Sequence, residues 1–134
     1  MSSSGPTGYA FNRTRHAYLA TQLCIAGTYW SRLRGLMARD AESFRAGQGL
    51  WINPSHGVHT FAMRFSIDVV YLDGDKIVVH LEQNLKPWRV APVRMRATSV
   101  LELPGNTLSS TGTAVGDKIE IALVSGRIRE AATA

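Results

Sequence analysis

His56, His59 and Asp68, close together in one block, are the nearest thing in this chain to a metal-ligand set. Two imidazoles and a carboxylate can make an open zinc or iron site, which would be the core of a metal-dependent hydrolase. The spacing weighs against it. His-x-x-His brings two side chains together on a helix, whereas on an extended strand residues three apart point to opposite faces. The plainer reading makes His59 a hydrogen-bonded strand residue and His56 an exposed turn residue.

A competing site draws on Arg64, Asp68, Arg34 and Arg39. In Met63-Arg64-Phe65-Ser66-Ile67-Asp68 an arginine and an aspartate flank a bend, from which the guanidinium can clamp a carboxylate of the protein or of a ligand. A carboxylate set in so apolar a run needs a partner if it is buried. Asp68 is therefore expected to be paired inside the fold, with ligand binding as the other role open to it. Among the aromatics, Trp51, Phe61, Tyr71 and Trp88 could line a sugar or peptide face, but those on strands read as core. Trp88, in a proline-flanked loop, is the one expected at the surface.

Nucleophilic chemistry has little to work with. Cys24 lies in an apolar run with no acid–base partner nearby in sequence, so a buried, inert thiol is expected. Ser55 beside His56 lacks the Gly-x-Ser-x-Gly turn, and Gly47-Gln48-Gly49 lacks the helix and lysine of a phosphate-cradling loop. No cofactor is expected.

The elements that must position these residues read as mainly β. Residues 49–53 form an apolar run stopped by Asn53-Pro54, since the residue before proline avoids helix and proline cannot donate to a ladder. Residues 58–65 and 66–72 carry β-branched and aromatic side chains, and Asp73-Gly74 before residues 76–81 predicts a hairpin with a primed turn. Upstream, residues 9–14 and 16–26 read as strands, and residues 29–37 place Trp30, Leu33, Leu36 and Met37 at helical spacing after a Thr28 cap. Downstream, residues 84–92 form a proline-broken loop, residues 94–103 recover strand character, Thr107 caps one short turn, and residues 118–124 alternate as a closing strand.

These elements predict a single mainly β domain over residues 9–124, a β-sandwich, jelly-roll-like or partly closed barrel with one short helix near residues 29–38. Residues 1–8 are expected as a flexible tail and residues 125–134 as a fraying end. The 134-residue length suits one core, and 45% hydrophobic with 19% charged residues marks a globular chain. Fifteen Lys and Arg against ten Asp and Glu give +5, which fits an anionic ligand or surface. Nucleic acid is not expected, because no basic helix or arginine stripe interleaved with aromatics is present. One cysteine excludes an internal disulfide. Residues 18–27 are apolar but interrupted by Thr21 and Gln22, and no stretch reaches the length of a membrane span, so a soluble, cytoplasmic form is expected.

Arg34-Gly35-Leu36-Met37-Ala38-Arg39, the block from His59 to Asp73, Val100-Leu101-Glu102-Leu103-Pro104-Gly105 and Val115-Gly116-Asp117 resemble, in order and spacing, the successive motifs of the bacterial and archaeal family called domain of unknown function 192. The resemblance runs from about Asn12 to Val124. It implies a compact, jelly-roll-like, mainly β domain without an established activity, and relatives that often carry an export signal. Together these readings point to a non-enzymatic binding or accessory module for a small anionic or carbohydrate-like ligand or a partner protein. Its expected site is His59, Arg64, Asp68 and Trp88, with Arg34 and Arg39 at the margin. The alternative is the hydrolase built on His56, His59 and Asp68.

Overall fold

A computed structural model describes residues 7–26, 44–57 and 65–124. Among these residues the strands are β1 (Thr7–Asn12), β2 (Ala17–Ala26), β3 (Gln48–Ile52), β4 (Ile67–Leu72), β5 (Val78–Leu85), β6 (Ser99–Pro104) and β7 (Ile119–Val124), with one helix, α1 (Thr107–Thr111), before β7. They form one sheet in the order β5-β4-β6-β3-β2-β1-β7. Every pairing is antiparallel except β2 with β3, where Cys24 lies beside Leu50 in a parallel register.

The sheet curls into a half-barrel. Its two edges meet at one corner, where the Val78 N–H donates to the Asp117 carbonyl at 2.9 Å, the Ile119 N–H to Lys76 at 3.0 Å, and Ile77 bridges Lys118. Closure hides part of each edge ladder, which an open sheet would leave exposed. The concave face holds the larger core, with Leu19 and Leu23 of β2, Val70 and Leu72 of β4, Leu101 and Leu103 of β6, Leu108 of α1 and Ile119 of β7. The convex face carries a second core around Ile52, Ile67, Val69, Tyr71 and Val100, partly covered by Phe44, Ala91 and Ala97. β4 and β6 are therefore buried on both faces along their whole length. Each large side chain so enclosed contributes about 1.5–3 kcal/mol.

Close approach decides one glycine. A Cβ on Gly8 would stand 2.0 Å from the Ala122 carbonyl oxygen, so β1 can reach β7 here only without a side chain. The end of β1 is fixed by a polar knot. Asn12 Nδ2 donates to Asp117 Oδ2 at 2.9 Å and to Thr113 Oγ1 at 3.0 Å, while Arg15 Nε and the Ala114 N–H also reach Asp117 Oδ2. Burial pushes the Asp117 carboxyl up, but the bonds from Arg15, Asn12 and Ala114 outweigh it and hold the group below its ordinary value. Val115-Gly116-Asp117 is thus a folding motif: Gly116 turns the chain at φ 98° and Asp117 ties β1 to the approach of β7.

Several expectations meet corrections. The hairpin between β4 and β5 is present, but its turn is not a primed Asp-Gly turn. Asp73 O accepts from the Lys76 N–H at 3.0 Å, and the Asp73 N–H donates to Ile77 O at 3.0 Å. The left-handed residue is Lys76 (φ 64°), and Asp73 Oδ1 takes the N–H groups of Asp75 and Ile77. This is a turn followed by a bulge, selected by the Asp73 side chain where the dipeptide rule looks to Gly74. β1 begins at Thr7, so residues 7 and 8 belong to the sheet. β5 runs to Leu85, and β6 starts at Ser99, later than the alternation implied. α1 begins after Asn106, at φ 74°, and Thr107 Oγ donates to the Pro104 carbonyl instead of capping the helix. The helix expected at residues 29–38 and the strand at 58–65 lie outside the described residues except for Phe65.

Candidate functional site

Asp68 is fully buried on the concave side of β4, opposite Leu103 of β6. Its Oδ1 accepts the Asn84 N–H and its Oδ2 the Leu108 N–H, both at 2.8 Å. Asn84 sits at φ 50° near the end of β5, and Leu108 is the second residue of α1, whose own cap residue supplies no side-chain bond. The carboxylate therefore caps the helix from a neighbouring strand and locks an irregular point of β5, satisfying two donors that would otherwise be orphaned.

His56 lies at the other face. Its Nδ1 stands 2.7 Å from the Ala97 carbonyl, and since a carbonyl only accepts, Nδ1 is the donor. The structure thus puts His56 beside the convex core and Asp68 in the concave one, and does not bring the two together. His59, Arg64, Arg34 and Arg39 lie outside the described residues. Among the described residues no three His, Cys, Asp or Glu side chains converge. Cys24 is half-buried.

Polar groups that the sequence reading passed over line the convex face. Glu102 of β6 is buried, level with Leu50 on one side and Val69 on the other, and Val69 in turn faces Glu82 of β5. Glu82 Oε2 is 2.6 Å from His80 Nε2, and the His80 ring packs edge-on against Tyr71 with centroids 4.9 Å apart. The signal available was the i, i+2 placement of His80 and Glu82, which shares one strand face. Tyr71 is held neutral, its pKa pushed to about 12 by burial, with Glu82 adding to the rise and Arg94 opposing it. Its hydroxyl donates to the Pro92 carbonyl at 2.7 Å.

That bond leads to the segment between β5 and β6, residues 86–98. It is braced to the sheet at several points: Pro92 by Tyr71, Arg94 N–H by the His56 carbonyl at 2.9 Å, and Thr98 N–H by the Leu72 carbonyl at 2.8 Å, with Ala91 and Ala97 buried. Before and between these anchors the large apolar side chains turn outward. Trp88 is 66% exposed, Val90 63%, Val93 61% and Met95 74%. Lys86, Arg89, Arg94 and Arg96 are interleaved with them, all exposed, and no acidic residue occurs between Leu85 and Leu101. Trp88 adopts φ 65°, a left-handed conformation that is rare for a bulky side chain. The Arg94-Met95-Arg96 part was hidden in the sequence because its alternation imitates a strand. The Ala97 N–H to Arg94 carbonyl bond of 2.9 Å makes it a turn.

A curled single-sheet β domain with a braced basic and apolar loop is the class that fold and geometry define. The chain belongs to the DUF192 family, described as Uncharacterized ACR, whose model matches residues 10–121. It is similar to a UPF0127 protein of Thermococcus sibiricus, 30% identical over 114 residues that cover 81% of this chain and 71% of that one. A UPF0127 protein of Pyrococcus horikoshii is 34% identical over 112 residues, covering 81% and 95%. The fold is shared with a protein of unknown function from Novosphingobium aromaticivorans (TM-score 0.70, 20% identity, 86% of this chain and 83% of that one). It is also shared with a Sinorhizobium meliloti protein (TM-score 0.71, 19% identity, 90% and 96%).

Proposed function

We propose that this chain is a binding module that docks an anionic partner surface through the loop of residues 86–98. The observation that carries the reading is the outward display of Trp88, Val90, Val93 and Met95 on a segment held to the sheet by buried anchors. Exposed apolar side chains leave water when a partner arrives, and a braced loop loses little freedom in doing so. The positive φ of Trp88 points the same way, since backbone strain is retained where the surrounding structure has a use for it.

Lys86, Arg89, Arg94 and Arg96 set the sign of the partner. Because these cations are exposed, a single small anion gains little from them in a high dielectric, whereas an extended anionic surface feels all of them within a Debye length of about 8 Å. The reading keeps Trp88 from the site expected in the sequence and assigns Asp68 to folding. The test is an amide-resolved titration with poly-glutamate, a sulfated polysaccharide and anionic vesicles in turn. Shifts concentrated on residues 86–98, weakened by salt and by Arg94→Gln with Arg96→Gln, are expected. Loop amides unmoved by all of these probes would overturn the reading.

A further inference from the structure

We propose that the anionic surface this loop docks is a lipid bilayer, with Trp88, Val90, Val93 and Met95 entering the headgroup–acyl boundary and the interleaved cations remaining at phosphate level. The inference rests on the docking role proposed above and names its partner. Three of the four outward apolar residues are aliphatic. Val90, Val93 and Met95 offer no ring to stack on a base or a sugar, so a nucleic acid or a polysaccharide would leave them in water. Hydrocarbon accepts them without any shape-specific pocket. The single aromatic is a tryptophan, whose amphipathic ring suits the membrane–water interface.

The charges fit the same placement. Lys86 and Arg89 flank Trp88, and Arg94 and Arg96 flank Met95, so each apolar insertion has cations beside it whose long stems can lie along the boundary while their heads meet phosphate. An acidic residue in this stretch would oppose approach to an anionic leaflet, and none lies between Leu85 and Leu101. The backbone is also suited to a partly dehydrated site. Pro87 and Pro92 have no N–H to lose from water, the Pro92 carbonyl is taken by Tyr71, and the Arg94 and Ala97 N–H groups are already bonded. The segment inserts as a shallow anchor, since among the described residues no helix is long and apolar enough to cross a membrane.

The test is co-sedimentation of the full chain with vesicles of phosphatidylcholine alone and of phosphatidylcholine with phosphatidylserine, beside a titration with poly-glutamate and a single-stranded oligonucleotide. Binding only to the phosphatidylserine vesicles is expected. Arg94→Gln with Arg96→Gln should lower the partition coefficient roughly 10–30-fold, at about fivefold per cation. Trp88→Ala and Met95→Ser should lower it further while leaving the melting curve in place. Loop shifts with poly-glutamate or the oligonucleotide but no vesicle binding would overturn the bilayer and leave the docking role standing. No response to any probe would overturn both. Vesicle binding that Trp88→Ala and Met95→Ser leave unchanged would overturn insertion by this loop.

Discussion

Replacing Asp68 with asparagine separates a folding carboxylate from a binding one. In the structure each Asp68 oxygen accepts one backbone N–H, from Asn84 and from Leu108, at 2.8 Å inside the concave core. Hydrogen bonds to a charged acceptor contribute about 1.5–3 kcal/mol each. Asparagine is nearly isosteric and retains one acceptor, but its amide nitrogen turns a donor toward the other N–H. The expected loss is therefore one bond plus a buried, unsatisfied donor, about 2–4 kcal/mol, a large share of the roughly 5–15 kcal/mol that holds a domain of this kind together. At roughly 3–5 °C per kcal/mol for a chain of this size, Tm should fall by about 10 °C. Thermal and urea unfolding followed by circular dichroism would measure the loss. Hydrogen exchange should localise it, with the Leu108 and Asn84 amides losing protection first. An Asp68→Asn protein that keeps its midpoint and the protection of both amides, yet no longer responds to anions, would refute the reasoning and return Asp68 to a ligand site.

Four further outcomes are expected. Asp117 has its carboxyl pKa lowered in the fold, so its stabilising contribution is complete above the unfolded value of about 3.9 and is lost as pH falls through the lower, folded value; the gap in Tm between the parent and Asp117→Asn should be widest near neutral pH and narrow below about pH 4. Tyr71→Phe removes the hydroxyl that holds the Pro92 carbonyl and should cost about 1 kcal/mol in urea unfolding, with faster hydrogen exchange at Arg94 and Ala97. Gly8→Ala drives a methyl group into the Ala122 carbonyl and should cost about 2–3 kcal/mol by the same assay, with loss of β1–β7 pairing visible by NMR. Trp88→Ala should leave stability within about 0.5 kcal/mol of the parent, because its ring is mostly in water.

The β content and the strand segments were legible wherever one rule governed the local chain. The residue before Pro54 ended β3, and Lys118-Ile119-Glu120-Ile121 alternated as an edge strand with one face buried should. Where two rules competed, the sequence misled. Arg94-Met95-Arg96 has the period of a strand, but the His56 carbonyl and a turn back from Ala97 claim its backbone, which moved the start of β6 to Ser99 and exposed the cations as part of a loop. Asp73-Gly74 matched a dipeptide rule, yet the Asp73 side chain organised the turn so that Lys76 took the positive φ. The role of Asp68 was half legible. A buried carboxylate in Ser66-Ile67-Asp68-Val69-Val70 demanded a partner, but the partners are backbone groups of Asn84 and Leu108, which no side-chain pattern encodes. His80 and Glu82, an i, i+2 pair on one face of β5, lay apart in sequence from the block around His59 and Arg64 that held the expected site.

Docking through the loop is tested most directly by following the amides of the isotope-labelled chain as phosphatidylserine-containing bicelles are added at two salt concentrations. Shifts confined to residues 86–98, smaller at the higher salt and absent in a protein carrying Trp88→Ala, Arg94→Gln and Arg96→Gln, are the expected result. Shifts centred instead on His80, Glu82 and the strands around Glu102, with the loop unmoved, would contradict the account and place the working surface on the convex face of the sheet.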